Sequence, residues 1–207
     1  MIAFTLRLVA RSSAWIAPSI VLILWIAVTL GGGGSARSAV AGLFYAVAIW
    51  ATWMTISTGN LDTDAHRDLL AAACGSASRL HAARAATVAV SVVAISVIVS
   101  GLTIVTGTSS NRPGDFVICA LATSAGGFLG VSFGTLLHRP LLRHRGLTVL
   151  FALMLLIATI VSSPTIAALN DIESGSPSTA IALAFVLGCS CVAVTAVAAR
   201  IAAARAR

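Results

Sequence analysis

One five-residue stretch of this chain has the spacing of a catalytic serine motif. Residues 130–134 read Gly-Val-Ser-Phe-Gly and fit the pattern G-x-S-x-G, in which the serine sits on a sharp turn between a strand and a helix. Here the stretch lies inside a long apolar segment, and no apolar segment supplies a histidine to act as its base. Gly126, Gly130 and Gly134 also recur every four residues, on one face of a helix. Small residues at this spacing let helices approach closely in lipid, so the sequence predicts packing rather than catalysis.

Residues that bind metals or carry redox chemistry do not cluster. The four histidines fall in connecting segments, with no carboxylate cluster beside them and no two of them four residues apart: His66, His81, His138 and His144. One cysteine lies in a connecting segment and three lie in apolar segments: Cys74, Cys119, Cys189 and Cys191. The Cys-Ser-Cys spacing matches no common metal or redox motif. We therefore expect no metal site and no cofactor, with cysteines that act as small buried apolar residues.

The chain contains no lysine, and this excludes one route to ATP hydrolysis. A P-loop reads G-x-x-x-x-G-K-[ST], and its lysine reaches the β- and γ-phosphates. We therefore expect that this chain is not an enzyme, and that any function driven by a P-loop ATPase requires a second polypeptide.

The elements that position these residues are apolar helices. Hydrophobic residues make up 58% of the chain and charged residues 9%, whereas a soluble domain carries about a quarter charged residues. About 20 apolar residues cross a hydrocarbon core. Six runs without Asp, Glu, Arg or His meet this length: about 14–30, 39–58, 86–106, 116–137, 147–167 and 179–199. We predict an all-α membrane protein in which residues 1–207 form one transmembrane domain of six helices.

The distribution of arginine predicts the orientation. If the N-terminus is cytoplasmic, eleven of the 13 arginines fall in inside segments, and only Arg37 and Arg112 fall outside. Short cytoplasmic loops carry such an excess of positive charge. The net charge of +7 then reflects orientation and attraction to anionic lipid, without nucleic acid. The absence of lysine and the abundant alanine suggest a GC-rich bacterial genome. We expect a bacterial inner-membrane protein with both termini in the cytoplasm.

Two inside segments have helical patterns of their own. Residues 2–12 place Arg7 and Arg11 on one face, which predicts an amphipathic helix in the headgroups before the first span. Residues 59–85 predict two helices bent at Gly75, the first capped by Thr63 or Asp64. A solvated connector remains the alternative for residues 59–85, and a frayed N-terminus for residues 2–12.

Two further connections are short. Residues 138–145 form a basic loop broken by Pro140, which a purely topological role explains. On the outer side, the stretch 164–178 is consistent with a small helical hairpin that dips into the membrane surface.

The whole arrangement resembles ABC exporter permeases of the type-2 class. The shared features are six spans, both ends inside, an N-terminal interfacial helix, a helical loop between spans two and three, and an outer hairpin before span six. At the residue level the resemblance rests mainly on residues 67–71, Arg-Asp-Leu-Leu-Ala, and on residues 78–84. Members often begin this helix with glutamates and follow it with a proline. This chain instead has Asp62, Asp64 and Asp68, and it has Cys74-Gly75 where the proline is common.

The resemblance implies a partner and a mechanism. Two permease subunits, alike or different, would pair, and each would dock a coupling helix into a groove of a cytoplasmic ABC ATPase subunit. The coupling residues would be Asp64, His66, Arg67, Asp68, Leu69, Leu70 and Arg79. Spans one and five would form the interface between permeases. The path of an amphipathic or lipid-like substrate would be lined there by Trp25, Phe151 and Met154, although such residues also suit packing or lipid contact.

Two other functions remain open from the sequence. A substrate-binding subunit of an energy-coupling-factor importer has a similar length and six spans, but the short outer loops offer few polar residues for a vitamin pocket. A membrane scaffold without transport activity is the third class. Co-purification of an ATPase would separate both transporters from a scaffold, and the direction of transport would separate exporter from importer.

Overall fold

In the computed structural model, residues 13–31, 38–60, 64–73, 75–106, 113–137, 154, 157–159, 162–174 and 176–205 are described, with the backbone alone for 14, 30, 64–68, 113, 163, 202, 203 and 205. Every element in these ranges is helical. A 3₁₀ turn, Ser13–Trp15, leads into the first of seven α-helices. These are α1 Ile16–Gly31, α2 Val40–Gly59, α3 Asp64–Ala73, α4 Ala77–Thr106, α5 Pro113–Leu137, α6 Ser163–Glu173 and α7 Pro177–Arg205.

Four of these helices, α2, α4, α5 and α7, are long and apolar enough to cross a membrane. Helix α1 is apolar but shorter, with 16 residues. Exposed side chains on α1, α4 and α7 are largely aliphatic, including Val28, Val105 and Val192. Because water would oppose such exposure while lipid would not, the described helices fit a membrane protein.

Helix α5 is the centre of the bundle, because it packs against α2, α4 and α7. Val131 of α5 is fully buried in one core cluster with Val47 of α2 and Val92 of α4. A second cluster joins the start of α2 to α6, where Val40 and Ile172 are both fully buried.

The contacts also fix the direction of each helix. Successive glycines of α5 meet successive residues of α2, Gly126 against Phe44 and Gly130 against Ala48, so these two helices run in the same direction. Helix α7 also runs parallel to α5, since Gly188 lies near Phe128 and Cys191 lies beside Ser132.

Helices α1 and α4 run the opposite way. Gly127 of α5 faces Val92, and Cys119, two turns earlier on α5, lies beside Ser100, two turns later on α4. In α1, Thr29 meets Gly42 while Ser19 meets Trp50. Helices α2, α5 and α7 therefore end where α4 begins. The chain also bends between α3 and α4 at this end, and we call it the elbow end of the bundle. The opposite end is the far end.

Two helices begin before the apolar runs that the sequence predicted as spans. The third run was placed at 86–106, and α4 begins at Ala77, so the helical stretch predicted at 78–84 is continuous with that run. The fourth span was placed at 116–137, but α5 begins at Pro113 and includes Asp115 in its first turn. Proline suits the first helical position, where its missing N–H has no intrahelical partner. Hydropathy alone does not register that signal.

The predicted fifth span, 147–167, includes a residue with non-helical backbone. Ser162 has extended backbone (φ −67°, ψ 121°), and α6 begins immediately after it with Pro164 in its first turn. The residues predicted as an outer hairpin are thus largely helical, because α6 and the turn at Ser174 precede α7. Most of residues 147–161 lie outside the described residues, as do the predicted interfacial helix at 2–12 and the basic loop at 138–145.

Candidate functional site

The elbow end of the bundle carries a ten-residue amphipathic helix, α3, which contacts α4. Its residues Leu69 and Leu70 differ in environment: Leu69 is 70% exposed, and Leu70 is half-buried. Among the predicted coupling residues, Asp64, His66, Arg67 and Asp68 lie on this helix, although their side chains are outside the described part of the structure. A short helix with an exposed leucine offers an apolar contact to a partner.

A tight elbow joins α3 to α4. Gly75 has φ +77°, in the left-handed region where a Cβ would be strained, and its N–H donates to the Ala72 carbonyl at 3.1 Å. The Ser76 hydroxyl accepts a hydrogen bond from the N–H of Arg79 at 3.2 Å, which caps the first turn of α4. The bend predicted at Gly75 is therefore present. The first of its hydrogen bonds restrains the end of α3, and the second restrains the start of α4.

Two turns along α4 from this elbow, a polar cleft opens between four helices. Its lining comes from α2, α4, α5 and α7: Thr55, Thr58, Gly59, His81, Arg84, Ala85, Thr135, Thr195 and Ala198. The cleft has a volume of about 20 Å³, close to the space that one water molecule needs. Arg84 is only 7% exposed, so a guanidinium group is enclosed among the helix ends.

Two threonine hydroxyls of the cleft lining donate to their own helices. Thr58 donates to the Thr55 carbonyl at 3.0 Å, and Thr135 donates to the Ser132 carbonyl at 2.8 Å. Both residues lie near helix C-termini, where the helix dipole favours positive charge. The place of Arg84 in the same lining is consistent with that preference.

The sequence interpretation treated the spans as free of ionisable groups, and the structure changes this. Arg84 lies inside α4, and Asp115 in the first turn of α5 is 5% exposed. The Asp115 carboxylate lies at a helix N-terminus, where the dipole favours negative charge. Hydropathy did not predict that either Arg84 or Asp115 is buried. Pro113 is a sequence signal for the first position of a helix, and it places Asp115 in the first turn of α5.

A row of small polar side chains follows the α4–α5 interface from Asp115 towards the middle of the bundle. Ser96 and Ser100 of α4 are fully buried, and their hydroxyls have no hydrogen-bond partner among the described residues. Cys119 of α5 lies beside Ser100 and Thr103. Small polar side chains are frequent where membrane helices pack closely, so this row is consistent with the tight approach of α4 to α5.

The glycines of α5 lie directly against α2. A Cβ on Gly126 would lie 3.0 Å from the carbonyl carbon of Phe44, and one on Gly130 would lie 2.9 Å from Cβ of Ala51. A Cβ on Gly134 would lie 2.9 Å from the carbonyl oxygen of Thr52. The G-x-S-x-G stretch is helical throughout, with the Ser132 hydroxyl donating to the Phe128 carbonyl at 2.9 Å.

The residues suggested for a translocation path are not all described. Trp25 of α1 is 44% exposed and lines a shallow groove with Trp50 and Trp53 of α2. Met154 is 61% exposed, and Phe151 lies outside the described residues. Met154 is not among the residues that line this groove.

No protein-family model matches this chain, and neither a curated protein nor a solved structure matches it. The functional reading therefore rests on the geometry of the chain itself.

Proposed function

We propose that this chain is the transmembrane subunit of an ATP-driven ABC exporter in a bacterial inner membrane. Helix α3 would be its coupling helix, docked into a groove of a cytoplasmic ATPase subunit. A second permease subunit would complete the path for an amphipathic or lipid-like substrate, with α1 and the chain around Met154 at the interface.

The observation that carries the proposal is the exposed apolar face of α3 on a restrained elbow. Leu69 is 70% exposed on a helix that is too short to cross a membrane. Gly75 and Ser76 fix that helix against the start of α4. A force applied to α3 would therefore act on a helix long enough to span the bilayer, as coupling requires.

The distribution of charge supports an elbow end that faces the cytoplasm. The described arginines lie on α3, α4 and α7, all towards this end: Arg67, Arg79, Arg84, Arg200 and Arg205. Of the described acidic residues, Asp64 and Asp68 also lie at this end, on α3, whereas Asp115, Asp171 and Glu173 lie towards the far end. This agrees with the excess of positive charge that cytoplasmic segments carry.

The parallel course of α5 and α7 supports an even number of crossings. Helix α5 ends at the elbow end with Leu137, and α7 begins at the far end with Pro177. The chain between them must return from one end to the other, and the apolar run at 147–161 is the segment suited to do so. With α1 as a further crossing, the chain would cross six times and both termini would lie at the elbow end.

The test is the double substitution Leu69→Asp with Leu70→Asp, assayed by co-purification of an ABC ATPase subunit with the chain from native membranes. Burial of a leucine side chain contributes roughly 1.5–3 kcal/mol. Loss of Leu69, with a smaller share from the half-buried Leu70, should remove about 2–4 kcal/mol of docking energy. This corresponds to roughly 30- to 1,000-fold weaker association with the ATPase.

The control is Arg143→Gln in the other inside loop, which should retain most of the association. Membrane insertion of each variant is checked by carbonate extraction. Normal association and transport by the double variant would reduce α3 to a connector and remove the main support for an exporter. Transport that brings substrate into the cell would instead favour an importer subunit.

A further inference from the structure

We propose that the cleft at the elbow end is a binding site for the phosphate group of an anionic phospholipid, held by Arg84 and His81. The proposal concerns a ligand of the permease itself, and it holds whether or not the chain docks an ATPase.

The first observation is the charge of the lining. Two ionisable side chains line the cleft, His81 and Arg84, and both are bases. They lie three residues apart on α4, so they are neighbours on one side of that helix. A guanidinium group offers a planar fork of N–H donors that matches two phosphate oxygens, and an imidazole adds one more donor.

The second observation is the way in which the arginine is held. Its side chain is 93% buried, since 7% remains exposed, yet it still lines the cleft. A side chain fixed in this way loses little further entropy when an anion binds, which favours affinity.

The third observation is the size and position of the cleft. A volume of about 20 Å³ holds one oxygen atom rather than a whole phosphate. The phosphate would therefore bind at the mouth, with one oxygen inserted towards Arg84. Helix α7, which lines the cleft with Thr195, exposes Val192 one turn earlier on the same face, with 71% of that residue exposed. A lipid satisfies both features, since its acyl chains can cover apolar helix surface while its phosphate meets the basic cleft.

The test uses the full chain, purified in mild detergent and stripped of lipid, with binding measured by native mass spectrometry and by thermal shift. The probes are dioctanoylphosphatidylglycerol, dioctanoylglycerol without phosphate, and inorganic phosphate. The substitution is Arg84→Gln, and its matched control is Arg79→Gln, because Arg79 lies on the same helix but is exposed.

We expect phosphatidylglycerol to bind saturably and to raise the unfolding temperature, and dioctanoylglycerol to do neither. Arg84→Gln should weaken binding roughly tenfold or more, as expected for the loss of a hydrogen bond to a charged group, whereas Arg79→Gln should change it less than about threefold. Equal binding of the two lipids, or equal affinity of the two variants, would overturn the site. Inorganic phosphate that binds as tightly as the lipid would overturn the lipid as its ligand.

If Arg84→Gln does not fold, Arg84→Lys takes its place, with Arg79→Lys as control. Lysine keeps the charge but lacks the planar fork, so several-fold weaker binding at position 84 alone is expected. Unchanged affinity of Arg84→Lys would show that the guanidinium does not hold the phosphate.

Discussion

The contact between α2 and α5 gives the sharpest test of the fold, through the substitution Gly130→Ala. The added Cβ would contact the carbonyl oxygen of Ala48 and lie 2.9 Å from Cβ of Ala51. Both neighbours are backbone or the first side-chain carbon, so neither can rotate away. The two helices must separate, because carbon atoms of this kind normally stay 3.4 Å or more apart.

Two terms set the size of the effect. Overpacking of a close interface costs about 1–3 kcal/mol. Separation would also lengthen the bond that the Thr52 hydroxyl donates across the interface to the Gly130 carbonyl at 3.1 Å, and such bonds contribute about 0.6 kcal/mol in membrane helices. Alanine has a higher helix propensity than glycine, and this offsets about 0.5–1 kcal/mol of the lost stability. The net loss should therefore be about 1–3 kcal/mol, which lowers the unfolding temperature by roughly 2–12 °C for a chain of this size.

The assay is thermal unfolding of the detergent-solubilised protein, followed by tryptophan fluorescence and circular dichroism. The matched control is Gly101→Ala in α4, where an added Cβ would meet nothing within 4 Å. That variant should be unchanged or slightly more stable. If Gly130→Ala unfolded at the wild-type temperature, or if both variants lost the same stability, the close approach of α5 to α2 would be refuted.

Three further predictions follow from the same structure. Thr52→Val should lower stability by about 0.6 kcal/mol, because one interhelical hydrogen bond is lost; a loss above about 2 kcal/mol in thermal unfolding would contradict this. Gly75→Ala should cost about 1–2 kcal/mol, because its φ of +77° is left-handed, and protease cleavage near the elbow should increase; unchanged protection would argue against the bend. In a chain whose native cysteines are replaced, an impermeant thiol reagent should label Ser109→Cys in intact cells, but Ser78→Cys only after permeabilisation; the opposite pattern would reverse the orientation.

The sequence by itself determined the class of the protein and its local turns. The length of an apolar run depends only on residues that are adjacent along the chain. Hydropathy therefore predicted at least one end of each of the helices α2, α4, α5 and α7 to within a few residues. The bend at Gly75 was predictable because only glycine adopts its backbone conformation without strain. The spacing of Gly126, Gly130 and Gly134 likewise indicated a close contact, since residues four apart share a helix face.

Tertiary structure decided what those elements face and where charge is buried. The sequence contains nothing to say that the glycine face meets α2, or that α2 and α5 run parallel, because both depend on the packing of distant segments. The sequence predicted Arg84 in a short helix that leads into the third span, outside its apolar run, and contained no signal that the side chain is buried. In the folded bundle, Arg84 is 7% exposed and lines a cleft with Thr58 of α2 and Thr135 of α5, near the C-terminal ends of those helices. A charge can be stabilised inside a bundle only when such partners converge on it, and that convergence exists only in three dimensions.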